Sequence, residues 1–354
     1  MNFLAFLPIL SLLMLVHELG HFVTARMAGI TVQEFGFGLP PRLWGFQRGG
    51  VTYSINWIPF GAFVKMLGEE DPTAPGSFAS KPRLARVGVL AAGSAMNFLL
   101  AVVAFSLVYI VGVPRLSPDG PARLAGIAPD SPAAVAGLQP GDVVRAFDGQ
   151  PVTLQQFRDL TQQHLDQRVQ LDVRRGNEEF QTSLTPRSNP PEGQGALGVV
   201  LEANDVARLD PLHALGLGAT QSVRAVGISF MVPVLLFQGA ITPGDARPIG
   251  LVGMAQLTSH TVDYAVDTGF WYPIFILTGM FSAGLSLANM LPIPALDGGR
   301  LFFVVLEWLR GRRIPPEREA AYHFAGIVLL LALMLFISLN DVFSPIPALN
   351  WGPR

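Results

Sequence analysis

The sequence predicts a polytopic α-helical membrane protein of about four transmembrane helices, with a compact α+β domain inserted between the second and third. Three observations carry that class. Of the 354 residues, 50% are hydrophobic and only 14% are charged, which is too apolar for an ordinary soluble enzyme. Four long apolar stretches are separated by basic or polar segments, as membrane-crossing helices require. Between the second and third lies a run of about 85 residues with the mixed composition of a water-facing domain. The net charge of −2 gives no reason to expect a nucleic-acid partner, so the expected surroundings are lipid bilayer and protein. The chain has no cysteine, which excludes disulfides and thiolate ligands and leaves His, Asp and Glu for any metal.

The first span is expected over 3–25 and is closed by Arg26. It lacks the basic start and small-residue cleavage site of a signal peptide, so it reads as retained. Residues 31–66 are too apolar for a plain loop and too rich in Gly and Pro for a helix. Val51, Tyr53, Ile55 and Trp57 alternate with polar residues, the period of a half-buried strand. That predicts a small sheet, either at the membrane interface or dipping toward the first span. The second span is expected over 87–112.

Residues 118–203 read as strand, short helix, turn and strand, then a helix in "TLQQFRDLTQQHL" and a hairpin turning near Gly176 and Asn177. Residues 204–265 predict interfacial helices, because Gln221, Ser222 and Arg224 interrupt the apolar run there. The third span, 270–295, is broken near its end by Pro292 and Pro294, and the fourth is expected over 322–340. The chain thus divides into 1–117, 118–203, 204–265 and 266–354. Basic residues cluster between spans one and two and, from Arg300 to Arg318, between spans three and four. By the positive-inside rule both loops are cytoplasmic, which puts the inserted domain outside.

The chemistry sits in "LMLVHELGHFVTARMAG". At about 1.5 Å per residue, the apolar run before it spans roughly 20 Å, so His17, Glu18 and His21 lie well within the bilayer. Ionisable groups at that depth are costly and point to function. H-E-x-x-H on a helix places the two imidazoles one turn apart on one face, where they can bind one zinc, with Glu18 as general base. Zinc acidifies water, and the glutamate takes the proton as the oxygen attacks a carbonyl. A catalytic zinc needs a third protein ligand and one open position. His164 falls in the soluble segment, and His213, His260 and His323 lie near span ends or in the mixed region. Asp297, in "NMLPIPALDGGRLFF" at the broken end of span three, is the better candidate, although it also suits a helix cap.

With these motifs, the chain resembles the site-2 protease family of intramembrane zinc metalloproteases, its bacterial RseP-type members in particular. "QEFGFGLPPRL", "PFGAFVKMLGE" and "GSAMNFLLA", which carries Gly93 and Asn97, extend the likeness over essentially the whole chain. The resemblance implies that His17, His21 and Asp297 hold Zn2+, that Glu18 is the catalytic base and that Asn289 contacts the substrate backbone. It implies a membrane re-entrant β-loop at 31–66, which would hold an unwound substrate by strand addition, and a single inserted PDZ domain at 118–203. The implied reaction is hydrolysis of peptide bonds within transmembrane segments. The implied substrates are single-span membrane proteins pre-cleaved by another protease, with anti-sigma factors and remnant signal peptides in range. The implied place is the bacterial inner membrane, with the active site toward the cytoplasm.

Two rivals stand beside this reading. A metal transporter would show duplicated broken helices, which the sequence lacks, and a catalytically silent scaffold would not need an intact "HELGH". For the inserted domain a steric gate is favoured over peptide docking, because "LAGIAPDSPA" lacks a glycine-rich carboxylate loop.

Overall fold

The structure, a computed structural model, describes residues 3–68, 73–191, 193–244, 246–312, 314–349 and 351. Glu69 of the "PFGAFVKMLGE" motif and Arg313 of the second basic loop lie outside the described residues. In chain order the elements are α1 (Phe6–Met27), β1 (Val32–Arg48), β2 (Val51–Met66), α2 (Arg83–Val111), β3 (Val113–Arg115), β4 (Ala122–Ile127), α3 (Pro132–Val135), β5 (Val143–Phe147) and β6 (Gln150–Pro151). There follow α4 (Leu154–Gln163), β7 (Val169–Arg175), β8 (Glu178–Leu184), β9 (Val199–Leu201), β10 (Asp205–Ala207), α5 (Pro211–Phe237), α6 (Leu251–Thr268), α7 (Tyr272–Met290), α8 (Asp297–Arg310) and α9 (Pro316–Phe343). They form two units, one from the segments up to Val111 and over Asp210–Leu349, the other from Gly112–Leu209.

In the helical unit, α2 is the hub, touching α1, α5, α7 and α8. Small and hydroxyl side chains let these helices approach, as packing between apolar helices demands. Ser282 and Ser286 of α7 donate to the Asn97 and Ser94 carbonyls of α2 at 2.7 and 2.8 Å. α7 stops at Met290 because the residue before Pro292 is driven out of the helical region; Leu291 is extended there. After the proline loop the chain turns into α8, whose first residue is Asp297.

Strands β1 and β2 are joined at Gly49 and Gly50 and fold back on themselves: Glu34 pairs with both Thr52 and Lys65. The arm Ala62–Met66 thereby runs along α1, where the Val64 amide meets Glu18.

Among the described residues, five helices are long and apolar enough to cross a membrane: α1, α2, α5, α7 and α9. The expected four omitted α5, assigned to an interface on its polar residues. Of those residues, Ser222 donates to the Gly218 carbonyl within α5 and Gln221 to the Tyr109 hydroxyl of α2, while Arg224 is exposed. α6, also expected at an interface, is an 18-residue helix outside that set.

The other unit is a six-stranded sheet in the order β8-β7-β5-β4-β9, with β6 on β5. Leu124, Val144, Phe147, Leu154, Phe157 and Leu171 fill its core. Thr153 and Gln156 form a capping box that starts α4. A short pair, β3 with β10, joins residues 113–115 to 205–207, so this unit begins and ends a few residues outside 118–203. The hairpin of β7 and β8 turns at Gly176 and Asn177.

Candidate metal centre

His17 and His21 project from one face of α1, one turn apart. Their rings meet edge to face with centroids 4.8 Å apart, and their Nε2 atoms are 3.1 Å apart. Asp297 comes to them from α8, its Oδ2 lying 2.9 Å from His17 Nε2 and 3.1 Å from His21 Nε2. Both imidazoles are buried and the carboxylate is half-buried. Asp297 is not a cap: the helix start at Leu296 makes no side-chain capping bond, and the carboxylate faces α1 instead.

Three features fit this triad to a metal ion. A tetrahedral zinc with ligands at 2.0–2.1 Å sets its donor atoms about 3.3 Å apart, close to the observed triangle. The second is a niche over Gly93 of α2, where a Cβ would stand 2.5 Å from His21 Nε2 and 2.6 Å from His17 Nε2. The third is the support of the rings. His21 Nδ1 is 2.8 Å from the Val89 carbonyl, to which it donates, leaving the Nε2 lone pair free. His17 Nδ1 is faced by the amides of Asn97 at 3.2 Å and Asn289 at 3.4 Å. Asn97 is fully buried and, among the described residues, its Oδ1 has no partner. Turning that amide end for end sets Oδ1 against a His17 Nδ1–H, which frees His17 Nε2 as well.

Glu18 is half-buried, and its Oε2 accepts from the Val64 amide at 3.0 Å. The fold thus brings His17, His21, Asp297, Glu18 and Asn289 into one neighbourhood. The other histidines are elsewhere. His164 contacts the Leu160 carbonyl and His213 pairs with Asp210; His260 is exposed on α6. His323 accepts from the Ala295 amide, next to the loop that carries Asp297.

Sequence reasoning assigned no task to Gly93, Asn97, Arg86 or Glu307. The first two were visible as a Gly-x-x-x-Asn spacing inside an apolar span, but nothing in the sequence said which helix they face. Arg86 Nη1 meets Glu307 Oε2 at 2.7 Å, both side chains buried, and the Arg86 guanidinium lies 5.6 Å from the Phe78 ring centre. That pair ties α8, and with it Asp297, to α2.

The chain matches the profile of peptidase family M50 over residues 5–333. A candidate zinc metalloprotease of Clostridium perfringens is 30% identical, over 95% of this chain and 97% of that protein. Zinc metalloprotease RasP of Shouchella clausii is 28% identical, over 96% of this chain and 98% of its own. Among solved structures, the PDZ domain of an SdrC-like protein from Listeria innocua is 22% identical with a TM-score of 0.22, covering 24% of this chain and 97% of its own. With the profile match spanning nearly its whole length, the chain belongs to peptidase family M50 and is a multi-pass membrane metalloprotease of the site-2 type.

Proposed function

We propose that this protein is an intramembrane zinc metalloprotease that hydrolyses peptide bonds within the transmembrane segments of membrane proteins. The observation that carries the reading is the convergence of His17, His21 and Asp297 on one point, with Glu18 beside it at a strand arm. His17, His21 and Asp297 would hold the zinc, which supplies a Lewis acid that polarises the scissile carbonyl and acidifies water. Glu18 takes the proton of the attacking water and delivers it to the leaving amide nitrogen, as general base and then general acid. Its bond to the Val64 amide fixes the carboxylate for that task and ties it to the arm Ala62–Met66. That arm, within a re-entrant β-loop, holds the substrate extended by strand addition, since a peptide bond inside a helix is shielded. Asn289 positions the substrate backbone with its amide.

The substrates in this reading are single-span proteins of the bacterial inner membrane, trimmed first by another protease; anti-sigma factors and remnant signal peptides fit. In this reading the active site faces the cytoplasm and the strand-rich unit, read as a PDZ domain, lies outside, which the two basic loops support.

For that unit we favour docking of a peptide end over a steric gate. Between α4 and the edge strand β9 lies a cavity of about 340 Å³ lined by Phe157, Thr161, Leu197, Val199 and Leu201. A glycine-rich segment, Gly193 to Gly198, leads into β9. Its glycines beside the cavity support a loop able to receive a peptide carboxylate, the feature that "LAGIAPDSPA" lacks. The test of the overall reading is co-expression of tagged single-span substrates with wild type and with Glu18→Gln. Cleavage by the wild type alone supports hydrolysis at this site. Equal cleavage by both rejects it.

A further inference from the structure

Beyond its metal donors, the site contains a strained segment whose support comes from the last helix. Ala295, two residues before Asp297, has φ +76°, a left-handed conformation that a residue with a Cβ adopts only under constraint. His323 of α9 supplies one constraint: its Nδ1 accepts the Ala295 amide at 3.1 Å. The ring is buried, packed 5.7 Å from the Phe303 ring, centre to centre, on α8. Among the described residues its Nε2 has no hydrogen bond; Glu319 Oε1 lies 3.9 Å away, and Arg300 is a second charge acting on the ring. One turn along α9, Gly326 lies against Pro294 so closely that a Cβ there would overlap the proline. The last helix thus grips residues 294 and 295 on one surface.

We propose that His323 is a positioning residue for the metal centre: by holding the Ala295 amide it keeps the loop in the left-handed turn that aims Asp297 at His17 and His21. The proposal rests on the reading of Asp297 as a metal ligand. Ala295 is half-buried, and losing the His323 acceptor removes the bond that offsets the cost of its left-handed conformation, so loss of His323 lets Ala295 relax to an unstrained conformation and swings the start of α8. Supporting residues of this kind typically alter metal affinity about 10–100-fold. Asn at 323 keeps an acceptor oxygen near the position of Nδ1, and Gly at 295 removes the cost of the left-handed conformation. Both therefore act on the proposed cause itself.

The experiment measures zinc release to a chelator from the purified full-length protein in detergent. His323→Ala is expected to release zinc about 10-fold faster than wild type. His323→Asn should stay near wild type, and Ala295→Gly combined with His323→Ala should recover most of the loss. Asp297→Ala is run alongside. If Asp297→Ala loses zinc while His323→Ala keeps wild-type release, the proposal is wrong and the metal site stands. If Asp297→Ala itself retains zinc normally, the metal-site reading falls and takes the proposal with it. Should His323→Ala fail to fold, His323→Asn and Ala295→Gly still decide: an Asn variant with fast zinc release and no recovery from Ala295→Gly overturns the proposal.

Discussion

Glu18 stands next in sequence to His17, yet the helix turns its carboxylate to the Val64 amide while the imidazole points at Asp297. That split gives base and ligand separate tasks and makes them separable by mutation. Glu18→Gln is expected to keep zinc while lowering cleavage of a membrane-embedded substrate by about 10²–10⁴-fold. Zinc content and rate measured on the same preparation check it. Asn289→Ala should lower turnover with zinc retained, since its amide contacts a ring nitrogen that faces away from the metal. Gly93 carries a sharper expectation. Alanine there puts a methyl 2.5 Å from His21 Nε2, so Gly93→Ala should cut zinc affinity about 10-fold or more without unfolding α2, because alanine favours helix.

Between elements, the buried Arg86–Glu307 pair fastens α8 to α2. Removing one partner of such a pair strands a charge and costs about 3–5 kcal/mol, whereas replacing both with apolar residues is close to neutral. Glu307→Gln should therefore lower the thermal midpoint far more than the double change Arg86→Leu/Glu307→Leu, read by unfolding in detergent. In the strand-rich unit, Asp142 is buried and joins β5 to β7. Burial pushes its carboxyl up, but the bidentate Arg175 guanidinium at 2.8 Å and the Gln139 amide outweigh that and hold it below the usual carboxylate range. A group depressed in the folded state contributes stability above its unfolded value, about 3.9 for Asp, and that contribution fades as pH falls through the lower folded value. Amide exchange of β5 and β7 should accelerate in that acid window, and Asp142→Asn should remove the pH dependence together with the stability.

For the molecule as a whole, both readings of the strand-rich unit favour trimmed substrates, and they part over what removal of the unit does. Deleting 119–203 with a short linker leaves trimmed substrates cleavable and admits untrimmed ones if the unit is a gate. If it docks peptide ends, the same deletion loses trimmed substrates. The groove beside β9 favours the second outcome, and Leu201→Arg in the intact chain should then weaken binding of C-terminal peptides measured by fluorescence anisotropy.

What the sequence determined by itself was local or repetitive in cause. Apolar runs of membrane length announced α1, α2, α7 and α9, the period of two announced the strands around Val51, and helical spacing put His17 and His21 on one face. The break at Pro292 was legible because proline constrains its own neighbours. What only the tertiary structure decided depended on which surfaces meet. The partners of Ser222 and Gln221, one on their own helix and one on Tyr109 of α2, emerged only when α5 was laid against α2. Gly93 and Asn97 acquired a role only when α2 was laid against α1, and His323 only when α9 reached the loop before Asp297. The glycine-rich segment before β9 could be recognised only once that strand was seen at the sheet edge. Spacing along a chain fixes the face of one helix, but helix-to-helix approach is set by packing between residues far apart in sequence, such as His21 with Val89, 68 positions away, and His21 with Asp297, 276 positions away.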